Sequence, residues 1–410
     1  MVAKTVQVVG LGYIGLPTAV ALAGAGITIK GMDVNPTHVD SVNAGKVPFL
    51  EPGLDEALQK VHAQGLISAS THASAAEAYI VSVPTPFKGN HEADLTYVMA
   101  AADEISPYVS KGVLVILEST SPPGTTEAMA DRITANRPEL RGQLLFAHAP
   151  ERVLPGRIMV EIFDNDRIVG GLTPEAGDAA RELYATFCRG QIRVTDAKTA
   201  EMSKLAENSF RDVNIAYANE LAKICERLGI DVWELIELAN LHPRVNILRP
   251  GPGVGGHCIA VDPWFIVDAA PELARLIRTA REVNDSRPDD VITQVRSTLA
   301  TLRGKTDEPV KIAALGLAFK PDVDDLRTSP AIAVAAKLAE LPGVTVLVAE
   351  PNVSTLPTAL SDKPNLKLVD LNQALREADL VVGLVAHKQF KALDPAAVAQ
   401  PVIDTCGIWR

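Results

Sequence analysis

The sequence predicts an α/β chain with two doubly wound sheets joined by a long central helix and a helical middle domain. Three observations carry that expectation. The first is Val6-Gln7-Val8-Val9-Gly10-Leu11-Gly12-Tyr13-Ile14-Gly15, an apolar strand-like run that ends in GxGxxG and passes into a helical pattern from Leu16 to Ala25. The second is Val310 to Gly316, which repeats the strand-to-glycine opening in the last part of the chain. The third is Asp196 to Leu228, a stretch without Gly or Pro in which Met202, Leu205, Val213, Ala216, Leu221, Ile224 and Leu228 fall at helical spacing. Gly229 stands where a helix C-cap is expected.

In the first region a second strand, Ile27 to Met32, closes on Asp33. A strand, glycine turn and helix bring backbone N–H groups and a helix N-terminus under a pyrophosphate, and an acid at the end of the next strand takes the ribose hydroxyls. Gly10, Gly12, Tyr13, Ile14, Gly15 and Asp33 are therefore read as a Rossmann-like dinucleotide site. Asp33 would repel a 2′-phosphate, which selects NAD over NADP. Two further strands end in polar loops: Ala78 to Val83 before Pro84-Thr85-Pro86, and Val113 to Leu117 before Glu118-Ser119-Thr120. Ligands gather beyond the carboxyl ends of such strands, so Thr85, Glu118 and Thr120 are expected to reach the nicotinamide or the reacting group. Ser119 and Thr120, followed by prolines and Glu127, also read as a helix start. The loop Ala147 to Gly156 carries Glu151 beside Arg152, which ion pairing alone would also explain.

At 410 residues the chain exceeds one ordinary core. The expected domains are 1–195 (dinucleotide-binding), 196–303 (central, helical) and 304–410 (second sheet). A polar connector, Arg303-Gly-Lys-Thr-Asp-Glu-Pro309, opens the last. Strands near Val344–Ala349, Leu366–Val369, Leu380–Val385 and Val402–Asp404 complete its sheet. Hydrophobic residues at 47% with 22% charged exclude a disordered chain, and a net charge of −11 argues against nucleic acid as a partner. Cysteines stand at 188, 225, 258 and 406 with no CxxC spacing, so neither a disulfide framework nor a metal site is expected. No basic-then-apolar leader precedes Val6 and no apolar run approaches a membrane span; the expected location is cytoplasmic, with no membrane partner.

The chemistry converges on Gly251-Pro-Gly-Val-Gly255-Gly-His-Cys258-Ile-Ala-Val-Asp262. Glycines let a backbone curl closely and present one side chain from a tight loop, so Cys258 is read as a nucleophile rather than a small core residue. Lys204 and Asn208 lie four apart on the long helix, where an ammonium and an amide could meet one oxyanion or form a solvated face. Another helical segment, Leu273 to Asn284, follows. Lys320 and Arg327 flank the first loop of the second sheet and suit a diphosphate, unless Asp322, Asp324 and Asp325 simply balance them.

Together, Gly10 to Gly15, Val83-Pro-Thr-Pro86, Pro150-Glu151, Lys204 with Asn208, Gly255-Gly-His-Cys258 to Asp262, and Phe319-Lys320 with Arg327 closely resemble the UDP-glucose/GDP-mannose dehydrogenase family, nearly end to end. Pro155 replaces a glutamate of the UDP-glucose branch. Pro150–Pro155, Asn208–Ala216 and His242–Asn246 look most like the branch acting on UDP-N-acetyl-D-mannosamine. The resemblance implies an NAD domain, a UDP domain, and a central helix forming a homodimer or higher homo-oligomer. It implies oxidation of a sugar C6 alcohol to a carboxylate by two NAD through a thiohemiacetal and thioester on Cys258, supplying surface polysaccharide synthesis. By matching position, Lys204 and Asn208 would stabilise oxyanions, Asp262 and Thr120 would hold water, and Glu151 would act as acid or base. Glu151, Arg152, Lys204, Asn208, Asn246, Gly255 and Lys320 would bind substrate, Arg244 would reach a neighbouring subunit's substrate, and Arg327 would contact the cofactor or the closed cleft. His257 is assigned to loop packing. The competing readings are another nucleotide sugar, a two-electron hydroxyacid dehydrogenase that leaves Cys258 unexplained, and a non-catalytic sensor of NAD or nucleotide sugar.

Overall fold

Strands buried on both faces lose the alternation of apolar and polar residues. Thr5–Val9 (β1), Ala78–Val81 (β4) and Leu114–Leu117 (β5) are of this kind, buried at nearly every position. The computed structural model describes residues 2–89, 91–256, 258–302 and 309–410. They form two compact units, Met1–Glu207 and Asn208–Arg410. His257 and the connector residues 303–308 lie outside the described residues, and so do the expectations placed on them.

The first unit adds β2 (Thr28–Met32), β3 (Ile67–Ser70), β6 (Leu145–His148), β7 (Arg167–Gly171) and β8 (Ile192–Asp196). The sheet runs β3-β2-β1-β4-β5-β6 with all neighbours parallel; β7 then lies antiparallel to β6, and β8 parallel to β7. Helices cover both faces, with Leu16, Leu22 and Leu58 in one core and Val98, Met129 and Ile133 in the other. The strand order reverses between β1 and β4, which opens a crevice at their carboxyl ends. Helix α1 (Gly15–Gly24) begins there.

The second unit holds β9 (Val310–Leu315), β10 (Val344–Ala349), β11 (Leu366–Leu368), β12 (Leu380–Gly383) and β13 (Val402–Asp404), all parallel in the order β11-β10-β9-β12-β13. This is the same winding as the first sheet. Between the sheets in sequence run α2 (Ala197–Leu228), α3 (Asp262–Ala269) and α4 (Arg275–Leu302). The division between units falls inside α2, which ends at Gly229 in the left-handed conformation expected of a C-cap (φ +68°).

α4 extends well past the expected Asn284, through Pro288. A proline inside a helix normally costs about 3 kcal/mol. Here Val291, Ile292, Val295 and Leu299 pack against the second sheet's core, and that burial keeps the latter half helical. The first half is held by a buried polar network. Arg281 Nη1 donates to Asp212 Oδ1 at 2.5 Å, and Asn284 Nδ2 to the same oxygen at 2.8 Å. Asn219 Nδ2 donates to Asn284 Oδ1 at 2.9 Å and its own Oδ1 accepts from Gly251 N–H at 2.8 Å. Arg287 Nε donates to the Gly251 carbonyl at 3.1 Å. The glycine loop is thus fastened at its first residue. Arg281→Ala leaves the Asp212 carboxylate buried without its cation, so we expect a loss of about 3–5 kcal/mol, read from urea unfolding.

Candidate active site

The dinucleotide turn is built by close approach. A Cβ on Gly10 (φ +96°) would lie 2.3 Å from the Ser82 carbonyl, and one on Gly15 would lie 1.9 Å from the Gly10 carbonyl. Only glycine fits either position. A Cβ on Gly12 would meet nothing within 4 Å, so the turn is open where a pyrophosphate would lie. Asp33 accepts from Leu11 N–H at 2.8 Å through one oxygen and from Asn35 N–H at 2.9 Å through the other. Tyr13 stacks on Phe49 at 4.2 Å, and α1 has no side-chain cap at Ile14. Open turn, uncapped helix and acid fit NAD, whose nicotinamide supplies a hydride acceptor when bound.

Beyond the crevice the strand-end loops are tied together. Thr85 Oγ1 donates to the Thr120 carbonyl at 2.5 Å, and Ser119 Oγ donates to the Val83 carbonyl at 2.7 Å and accepts from Val83 N–H at 2.9 Å. Ser119 and Thr120 do not start a helix: the next one is Thr125–Asn136, with Gly124 as N-cap. Its first N–H groups go to Glu201 of α2, which accepts from Gly124 N at 2.6 Å and Thr126 N at 2.8 Å.

The carboxylate of Glu118, expected at the crevice, is enclosed instead. Thr18 of α1 donates to it at 3.1 Å and Tyr184 Oη at 3.0 Å, while Arg167 Nη1 stands 3.9 Å away. Arg167, itself buried over the Tyr184 ring, donates from Nη2 to Glu151 Oε2 at 2.8 Å. Burial and the nearby Glu151 charge push Glu118 up to about 7, while the two carboxylates keep the guanidinium protonated. Arg167 and Tyr184 are absent from the sequence reading, because no local motif marks a cation that becomes buried only when β7 joins the sheet. Glu151 Oε1 also accepts from Arg152 N–H at 2.7 Å. The Arg152 guanidinium turns to Glu207 at 3.0 Å, so its ion pair is with that residue and not with Glu151. His148 is fully enclosed and burial pushes it down to about 3, so it is neutral at pH 7.

In the second unit Cys258 is an exposed thiol, and its carbonyl accepts from Val261 N at 3.0 Å and Asp262 N at 2.8 Å. The thiol therefore sits one turn ahead of α3. Asp262, buried at the start of α3, accepts from Asn208 Nδ2 at 2.5 Å. Lys204, one turn before Asn208 on α2, is half-buried with no hydrogen bond or ion pair among the described residues. Arg244 and Asn246 are exposed, with Arg244 near His242.

The second sheet echoes the first. Gly316 has φ +99°, and a Cβ there would lie 2.5 Å from Val385 Cβ. Glu350, at the end of β10, accepts from Leu317 N at 2.7 Å and from Ala318 N at 3.1 Å, as Asp33 accepts from Leu11. The helix that follows, α5 (Pro330–Ala339), is capped by Ser329, so its N-terminus is occupied. Lys320 is half-buried, whereas Arg327 is engaged by Asp325 at 2.6 and 2.8 Å. A cavity of about 240 Å³ opens beside Phe319 and Gly253, with Arg249 and Lys391 in its wall. These two cations are further residues the sequence did not single out.

A hydride acceptor and a thiol that can carry an acyl group belong together in dehydrogenases that take an alcohol past the aldehyde. Models of the UDP-glucose/GDP-mannose dehydrogenase family match three consecutive stretches: its NAD binding domain at 4–188, central domain at 198–286 and UDP binding domain at 313–410. The chain belongs to this family and is an NAD-dependent nucleotide-sugar dehydrogenase acting on a CH–OH group. A UDP-N-acetyl-D-mannosamine dehydrogenase of Yersinia pestis is 52% identical over 99% of this chain and 99% of its own. An NDP-N-acetyl-D-galactosaminuronic acid dehydrogenase of Ralstonia nicotianae is 51% identical over 99% of this chain and 96% of its own. The solved UDP-D-ManNAc dehydrogenase of Pyrococcus horikoshii matches with a TM-score of 0.89 at 36% identity, covering 99% of this chain and 96% of that one.

Glu118 gives a pH test. Its folded value of about 7 lies above the usual 4.5, so the folded state binds more protons between these values and loses stability as pH rises through that window. Glu118→Gln removes this loss. From pH 4.5 to 8 the variant should gain on the wild type by on the order of 2–3 kcal/mol, measured by unfolding at both pH values.

Proposed function

We propose that the chain oxidises the C6 alcohol of UDP-N-acetyl-D-mannosamine to the carboxylate, with Cys258 as covalent nucleophile and two NAD consumed per sugar. The observation that carries the mechanism is the exposed thiol on a fastened glycine loop, one turn ahead of the buried Asp262–Asn208 pair. In the first oxidation C6 loses a hydride and its hydroxyl a proton, giving the aldehyde. The Cys258 thiolate adds to the aldehyde carbon, forming the C–S bond of a thiohemiacetal alkoxide, and loss of a second hydride from C6 to the second NAD gives the thioester. Water attacks the thioester, the C–S bond breaks, and the thiolate leaves the uronate.

Lys204 and Asn208 stabilise the oxyanions in these steps. Asp262 and Thr120 orient water, and Glu151, held as an ion pair by Arg167, exchanges protons with it. Glu151, Arg152, Asn246, Gly255 and Lys320 contribute to sugar and diphosphate binding, Arg244 serves a neighbouring subunit, and Arg327 contacts the cofactor once released from Asp325. The sugar assignment rests on relatives named for N-acetylmannosamine and on Pro155, where the UDP-glucose branch carries glutamate. The Ralstonia relative at 51% identity favours a second reading, an N-acetylgalactosamine nucleotide.

The domains we assign are 1–195, 196–303 and 304–410, in line with the three family matches. The cytoplasm is the compartment that keeps Cys258 reduced for catalysis. Phe210, Tyr217, Ile224 and Leu228 form an exposed apolar stripe along α2, with Phe210 70% exposed. A stripe of this kind supports a homodimer closed across α2. Phe210→Glu with Leu228→Glu should give monomers by light scattering; an unchanged mass would remove this interface.

Completion assays test the reaction. We expect two NADH per UDP-N-acetylmannosamine, and an initial rate with UDP-glucose less than a tenth of that with UDP-N-acetylmannosamine. Faster turnover of the N-acetylgalactosamine nucleotide would select the second reading. Cys258→Ala should bind NAD normally yet form no acid, and ordinary acid production by it would remove the thioester route.

A further inference from the structure

Thr328 adopts φ +51° in the left-handed region, where a β-branched side chain is an outlier. Such a conformation persists only where the surroundings over-determine it. The hydroxyl of Thr328 accepts from Gly256 N–H at 2.9 Å and lies 3.2 Å from the Gly256 carbonyl and 2.8 Å from the Arg327 carbonyl, so one side chain meets both backbone polar groups of the residue two before Cys258. Its carbonyl stands 2.7 Å from where a Cβ on Gly255 would be, and the Phe319 ring stands 3.0 Å from where one on Gly256 would be. Both glycines are thus seated on the loop that follows β9.

That loop is itself closed. Phe319 N–H donates to the Asp325 carbonyl at 3.1 Å, the Asp325 carboxylate accepts three hydrogen bonds from Arg327, and Ser329, next after Thr328, caps α5. Phe319 also lines the cavity that holds Arg249 and Lys391, and Lys320 follows it directly. A nucleotide diphosphate that fills this cavity or binds Lys320 must press on the residues that seat Gly255 and Gly256.

We propose that Thr328 is a positioning residue for Cys258: its hydroxyl clamps the thiol loop to the loop after β9, so that nucleotide binding in the second unit sets the thiol's orientation and exposure. The inference rests on the reading of Cys258 as nucleophile and of the second sheet as the nucleotide site. It assigns Thr328 no contact with substrate. Strain is retained because a left-handed backbone is what aims the hydroxyl at Gly256.

The test uses the full chain with UDP as probe. Alkylation of Cys258 by iodoacetamide, followed on its own peptide by mass spectrometry, is timed with and without UDP in the wild type, T328S, T328V and T328G. Steady-state kcat and KM are measured beside it with both acetamido nucleotide sugars. We expect UDP to change the wild-type alkylation rate at least threefold and T328S to match the wild type. T328V and T328G should lose the UDP response, with kcat at least tenfold lower and NAD binding unchanged. T328G relieves the backbone strain, so it reports on the hydroxyl even where T328V folds poorly. A UDP response that persists in T328G, or that is absent from the wild type, overturns the proposal. Failure of the parent reading is distinct: the wild type would then make no NADH from either sugar, whatever the alkylation rates.

Discussion

A carboxylate at the end of the second strand holds the peptide N–H groups of the turn after the first strand, and both sheets depend on this contact. In the first sheet Asp33 takes Leu11 N–H; in the second Glu350 takes Leu317 and Ala318 N–H. The turn can pass this close only because Gly10 and Gly316 lack a Cβ, each facing the next strand of the switch point at 2.3 and 2.5 Å. Glutamate reaches one bond further than aspartate, and Glu350 uses that reach to engage His387 at 3.0 Å as well. The two turns then diverge. α1 keeps an uncapped N-terminus for a pyrophosphate, whereas Ser329 caps α5 through the Ala331 N–H.

The same device recurs wherever a functional loop leaves a strand. Glu201 takes the N–H groups of Gly124 and Thr126 and so fixes the loop that carries Thr120. Glu51 takes those of Gly156 and Ile158 and fixes the loop that carries Glu151. All are carboxylates removed from water, which is costly unless N–H donors converge on them. Their burial ties these loops rigidly to the fold, and it explains why an acidic chain spends several acids inside. Glu118 has hydroxyl donors and a distant guanidinium rather than peptide N–H groups, and burial pushes it up to about 7.

Local signals in the sequence are faithful where one residue decides the backbone. The glycine turn, Asp33, α2 with its Gly229 cap, strands β1, β2, β4 and β5 of the first sheet and the strands of the second are legible because their side chains or lack of them act within a few residues. The antiparallel joining of β7, the Arg167 bridge from Glu151 toward Glu118, and the Glu201 cap are pairings across long sequence separations, and no periodicity encodes them. The continuation of α4 past Asn284 through Pro288 has a related cause: the proline's local cost is offset by Val291, Val295 and Leu299, whose partners lie in strands that follow. Cys258 and Asp262 are legible as a motif, but the hydrogen bond from Asn208 to Asp262 emerges only when α2 and α3 are packed.

Overall identity is a poor guide to the sugar. Relatives at 52% and 51% identity carry names for differently configured acetamido sugars, and the sheets, turns and carboxylate anchors are indifferent to that configuration. A pocket that hydrogen-bonds a sugar hydroxyl can reject the analogue lacking it by about 10⁴-fold, because the unmatched polar group is left buried without a partner. One or two side chains suffice for that. The mannosamine and galactosamine frameworks differ in the orientation of groups at C2 and C4, so discrimination lies with whichever side chains meet those two positions, while the chemistry at C6 and the thiol of Cys258 stay common to both.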